Sequence, residues 1–181
     1  MSLLTRLFLS PQAQPGLGFT PRAQQLLALT RREAMRWHHR EAGTLHLMLA
    51  LLRSGNGAGF DALVRMGVDR AAMQWTLETQ LTPGLSAVET RSIMYSAGFK
   101  KMLAFAGREA RRLQHNHVGT EHLLLGLLRA DPVPIGRALR SQSFEVEQLW
   151  EALCQVEIPR TATDGPKPAD PPFDATLGEG I

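Results

Sequence analysis

Gly43-Thr44-Leu45-His46-Leu47-Met48-Leu49-Ala50-Leu51-Leu52-Arg53 returns 76 residues later as Gly119-Thr120-Glu121-His122-Leu123-Leu124-Leu125-Gly126-Leu127-Leu128-Arg129, without a gap. Extending the same offset from Phe19–Asp69 to Tyr95–Glu145 gives 17 identities in 51 aligned positions, including Arg32-Glu33-Ala34 against Arg108-Glu109-Ala110. A repeat of this length means that one supersecondary unit occurs twice and that each copy serves as a control for the other.

The repeated run is apolar on nearly every side, which predicts a helix buried all round, with Thr44 or Thr120 near its start. Upstream, Thr20 precedes Pro21, a hydroxyl cap followed by a residue without an N–H, and Ala23, Leu26, Leu27, Thr30, Ala34 and Trp37 follow at helical spacing. Phe99, Met102, Leu103, Ala106, Ala110 and Leu113 repeat that face behind Ser96. Downstream, turns at Gly55-Asn56-Gly57 and Asp131-Pro132-Val133-Pro134 lead to a short third helix around Phe60–Met66 or Ile135–Arg140, and a fourth begins near Asp69 or Glu145. No strand-length alternation of β-branched residues occurs. The fold expected is all-α, two tandem four-helix repeats, about eight helices, related by a pseudo-two-fold axis. The expected boundaries are a flexible leader over 1–18, a domain over 19–157 (repeats 19–82 and 95–157, linker 83–94) and a disordered, Pro-rich tail over 158–181.

Composition narrows the function. The chain has 181 residues, 44% of them apolar, a formal charge of +3, one cysteine and three lysines. A lone Cys154 excludes an intramolecular disulfide, and a cytoplasmic location without membrane insertion is expected. No lysine follows a glycine, so the Gly-Lys-Ser/Thr step of a phosphate-binding loop is missing. His115 and His117 lie near His122, but no acidic or cysteine ligand joins them in this reading; no metal, cofactor or catalytic constellation is assigned. The arginines read as solvated helix faces, since no aromatic residues for base stacking are interleaved with them. Trp37, Trp75 and Trp150 read as core or interface anchors.

Phe19-Thr20-Pro21-Arg22-Ala23, Glu33-Ala34 and Gly43-Thr44-x-His46-Leu47, repeated as Tyr95-Ser96, Glu109-Ala110 and Gly119-Thr120-Glu121-His122-Leu123, closely resemble the Clp N-terminal domain found at the front of ClpA and ClpC unfoldases. The resemblance covers about residues 19–157, here without AAA+ modules, and implies a non-enzymatic module that binds a Clp-type AAA+ unfoldase or its clients and adaptors, acting as adaptor or decoy. In the ClpC branch it implies a reader of arginine-phosphorylated proteins with one site per repeat, a hydroxyl at the first helix meeting phosphate and the glutamate of Gly-Thr-Glu-His meeting the guanidinium. Carried over, Ser96, Thr120 and Glu121 form the expected site of the second repeat, and Thr20, Thr44 and Leu45 a degenerate one in the first. The residues alone leave a structural reading open: Glu121 gains from the helix dipole and Ser96 caps its helix without any ligand. A second class of function, an orphan helical regulatory or nucleic-acid-associated protein reusing the fold, also stays open.

Overall fold

The computed structural model describes residues 17–85 and 92–155. The expected tail, most of the leader and the middle of the linker lie outside these residues. Within the leader, Leu17 packs against the core and Gly18 already belongs to a strand.

Eight helices are present among the described residues: α1 (Pro21–Arg36), α2 (Thr44–Ser54), α3 (Ala58–Arg65), α4 (Arg70–Glu78), α5 (Ala97–Arg112), α6 (Thr120–Ala130), α7 (Pro132–Arg140) and α8 (Val146–Cys154). The third helices begin earlier than the sequence suggested, at Ala58 and Pro132. Both proline and the left-handed Gly57 act here as helix starts rather than as loop residues.

Four two-residue strands accompany the helices: β1 (Gly18–Phe19), β2 (Glu41–Ala42), β3 (Met94–Tyr95) and β4 (His117–Val118). Two residues are too few to show a period of two, so these strands leave no pattern in the sequence. Their pairing organises the molecule. β1 runs parallel to β4, with Phe19 opposite Val118, and β2 runs parallel to β3, with Ala42 opposite Tyr95. Each repeat therefore lends its leading strand to the other, and the two exchanges are related by the 76-residue offset.

The core sits on α2 and α6. Residues Leu47–Leu52 and Leu123–Leu128 are all buried, as their uniform apolarity demands. The first helix of each repeat packs on the second, and α5 approaches α6 so closely that a Cβ on Gly126 would stand 2.6 Å from the backbone N of Ala106 and O of Met102.

Each repeat also buries a matching acid on its first helix. Glu33 accepts from Trp37 Nε1 at 3.1 Å and lies 3.1 Å from Arg53 Nε, while Glu109 meets Arg112 Nε at 2.6 Å and Arg129 Nε at 2.9 Å. Both acids thus tie the first helix to the arginine ending the second. The aromatic anchors divide: Trp37 and Trp150 are half-buried, with Arg129 over the Trp150 ring, whereas Trp75 is 71% exposed.

Local geometry at the helix ends matches between copies. His38 and Gln114 adopt φ of 58° and 59°, closing α1 and α5 with left-handed residues that are not glycine. His39 N–H then returns to Ala34 O, and His115 N–H to Ala110 O. This closure aims His39 and His115 at the start of the next helix.

Candidate binding clefts at the helix starts

Thr20 Oγ1 accepts from Ala23 N–H at 3.2 Å, and Ser96 Oγ from Phe99 N–H at 3.1 Å, so both hydroxyls cap their helices. The strand exchange decides which turn each hydroxyl faces. Thr20 N–H donates to Val118 O and Ser96 N–H to Ala42 O, each at 3.0 Å. Thr20 is thereby seated against the Gly119-Thr120-Glu121 turn, and Ser96 against Gly43-Thr44-Leu45, where a Cβ on Gly43 would lie 3.9 Å from Ser96 Oγ. The sequence grouped Ser96 with Glu121 and Thr20 with Leu45 inside each repeat, whereas the strand pairing joins each leading strand to the opposite repeat. The candidate groupings that follow from the exchange are Thr20 with the turn that carries Glu121 and Ser96 with the turn that carries Leu45, because β1 and β3 cross to the opposite repeat.

The two threonines of the repeated motif are engaged elsewhere. Thr120, buried, accepts from Gly59 N–H at 3.1 Å and so caps α3 of the other repeat. Thr44 donates to Asp131 Oδ2 at 2.7 Å, at the start of α7. Both hydroxyls bind one repeat to the other.

Histidine supplies the cap that glycine lacks. Gly43 N–H donates to His46 Nδ1 at 2.9 Å, His46 Nε2 lies 2.8 Å from His39 Nδ1, and His39 Nε2 lies 2.7 Å from Thr82 O. The carbonyl of Thr82 only accepts, so every proton in this chain is placed: His39 and His46 each carry theirs on Nε2. Burial, and next His39, lower His46 to about 4, in keeping with a neutral ring. The second repeat repeats the pattern, Gly119 N–H to His122 Nδ1 at 2.9 Å and His122 Nε2 to His115 Nδ1 at 2.8 Å. His115 is likewise lowered, by burial first and then by His122. The identity of His39 with His115 at the repeat offset was the signal for this pair, and reading the motif from Gly43 onward misses it.

Glu121 breaks the likeness. Its side chain folds back over Gly119, so that a Cβ there would meet its carboxylate, and its Oε1 lies 2.8 Å from His122 Nδ1. The acid is 3% exposed. Leu45, half-buried, leaves the matching space on Gly43 open.

A metal is a poor match for these donors. Among the described residues His115, Glu121 and His122 have ligand atoms within 4.8 Å of one another, so an acid does join the histidines, while His117 is exposed in β4 and takes no part. However, both nitrogens of His122 are engaged, one by a backbone N–H that the first repeat keeps with no acid present. The arrangement suits sharing of protons better than binding of an ion.

Several arginines are committed within the fold. Besides those on Glu33 and Glu109, Arg31 lies over the Tyr95 ring at 4.6 Å and Arg108 over Phe105 at 5.4 Å. No helix among the described residues is long and apolar enough to cross a membrane.

The model of the Clp repeat (R) N-terminal domain family matches residues 18–142. The chain is similar to the chaperone protein ClpB of Oceanobacillus iheyensis, 36% identical over 138 residues, which cover 76% of this chain and 17% of that protein. The same figures hold for the negative regulator of genetic competence ClpC/MecB of Bacillus subtilis. The chain thus spans 17% of the length of these relatives. Its fold is that of the Hsp104 N-terminal domain from Candida albicans, with a TM-score of 0.63, 16% identity, and coverage of 76% of this chain and 90% of that one. The N-terminal domain of ClpD from Arabidopsis thaliana gives a TM-score of 0.61 at 19% identity, over 78% of this chain and 96% of that one.

Proposed function

Because this chain belongs to the Clp repeat (R) N-terminal domain family, we propose that it is a non-catalytic binding module that engages clients or adaptors of a Clp-type unfoldase. Its ligand site is the composite cleft of Thr20 and Glu121. The ligand it suits carries an anion beside a guanidinium, as a phosphoarginine side chain does. The anion meets the Thr20 hydroxyl and the Arg22 N–H at the start of α1, and the guanidinium meets the carboxylate.

One observation carries this reading. Glu121 is a buried acid whose polar neighbour is His122 Nδ1, a nitrogen that Gly119 N–H also approaches. A buried carboxylate set against an imidazole rather than a guanidinium or ammonium gains from a cationic donor. The Ser96 cleft has Leu45 in that position and offers no such group, so one ligand is expected per chain.

Calorimetry with phosphoarginine tests the proposal. Wild type binds one equivalent, Glu121→Ala loses binding, and Leu45→Glu gives two equivalents. No heat from wild type, with the fold verified by circular dichroism, overturns it. Whether a bound client is delivered or withheld is then decided by adding the module to an unfoldase assay: an adaptor stimulates turnover, a decoy inhibits it.

A further inference from the structure

His122 Nδ1 has two neighbours that ask opposite things of it. Gly119 N–H, at 2.9 Å, needs a lone pair there, and the Glu121 carboxylate, at 2.8 Å, needs a proton. One nitrogen cannot serve both. In the first repeat Leu45 poses no demand, and His46 accepts from Gly43 with its proton on Nε2. A proton on His122 Nδ1 answers the carboxylate, which is folded back over Gly119.

We propose that Glu121 is a built-in occupant of its own cleft, holding a proton on His122 Nδ1 while it is folded back, and that swinging out toward a ligand's cation returns His122 to the arrangement of His46. The pair His122–His115 shifts with it. Folded back, Nδ1–H of His122 points to the carboxylate and Nε2 accepts from His115 Nδ1–H. Swung out, Nδ1 accepts from Gly119 and Nε2–H donates to His115, whose own proton moves to its outward nitrogen. The first repeat has no such element, since Thr82 O and Leu45 fix its histidines in one state. The device makes the cleft self-occluding: a ligand competes with an internal anion seated on the start of α6.

The cation that draws Glu121 out rests on the reading above; the two positions of the acid and the histidine proton do not. Nitrogen-15 NMR of histidine-labelled full-length chain separates the two. The expected result is a protonated Nδ1 on His122 and an unprotonated Nδ1 on His46 in wild type. Glu121→Leu is expected to convert His122 to the His46 pattern, and saturating phosphoarginine to do the same in wild type. If Glu121→Leu converts the signal but phosphoarginine does not, the inference stands and the ligand assignment falls. If His122 already matches His46 in wild type, or if Glu121→Leu leaves it unchanged while His46 keeps its native signal, the inference falls whatever binds.

Discussion

The backbone N–H of Thr20 donates to the carbonyl of Val118, 98 positions later in the chain, at 3.0 Å. This bond makes the proposed ligand site a property of both repeats together. Replacing either Thr20 or Glu121 by alanine is therefore expected to weaken phosphoarginine binding by tenfold or more, since each removes about 1.5–3 kcal/mol of hydrogen bonding to a charged group. Ser96→Ala, across the pseudo-two-fold, is expected to leave the affinity unchanged. Calorimetry on the three variants checks this, and the reverse outcome, with Ser96 critical and Thr20 silent, would restore the within-repeat site.

A second prediction concerns acid. His46 falls from its usual 6.5 to about 4, so the unfolded chain binds a proton that the folded chain refuses between those pH values. Stability from this group is therefore complete above about pH 6.5 and declines as pH falls toward 4, by about 3 kcal/mol in all. Urea denaturation at pH 7.5 and pH 4.5 is expected to show the loss, and His46→Gln to reduce it. Part remains in the variant, because His115 is lowered as well. An undiminished loss in His46→Gln assigns the acid sensitivity elsewhere.

How much of this was legible in advance depends on the range of the interaction. The helices were readable because Leu47–Leu52 and its copy advertise burial locally, and Thr20 and Ser96 cap within three residues of themselves. The exchange of strands was not, since Gly18–Phe19 and His117–Val118 pair across nearly a hundred residues with no side-chain pattern of their own. For the same reason the difference between Leu45 and Glu121 was visible, but the pairing of Thr20 with Val118 and of Ser96 with Ala42 was not. Thr120 shows the limit from the other side. A threonine that reads as a cap within one repeat is the cap of a helix in the other.

Gly126 gives a test of packing in which the repeat provides its own control. A Cβ there would lie 2.6 Å from two backbone atoms of α5, whereas the matching position in the first repeat is Ala50, whose Cβ is accommodated. Gly126→Ala should therefore destabilise despite its better helix propensity, by about 1–3 kcal/mol through overpacking. Ala50→Gly should destabilise by about 1 kcal/mol, through propensity and a lost methyl contact. Thermal or urea denaturation of the two variants decides it; a stabilised Gly126→Ala would show that α5 and α6 are free to move apart.

Thr120→Val separates a structural threonine from a binding one. Valine matches threonine in shape but offers a methyl where Gly59 N–H needs an acceptor, and that donor lies buried beneath α6. Leaving it unpaired costs about 1–3 kcal/mol, which for a domain of this size lowers Tm by roughly 3–12 °C. Thr44→Val removes only a donor to the half-buried Asp131, which water can replace, and is expected to shift Tm by less. Since neither hydroxyl faces the Thr20–Glu121 cleft, phosphoarginine affinity measured below the melting range should be unchanged in both. Loss of binding in a Thr120→Val protein that still melts cooperatively would return Thr120 to the ligand site.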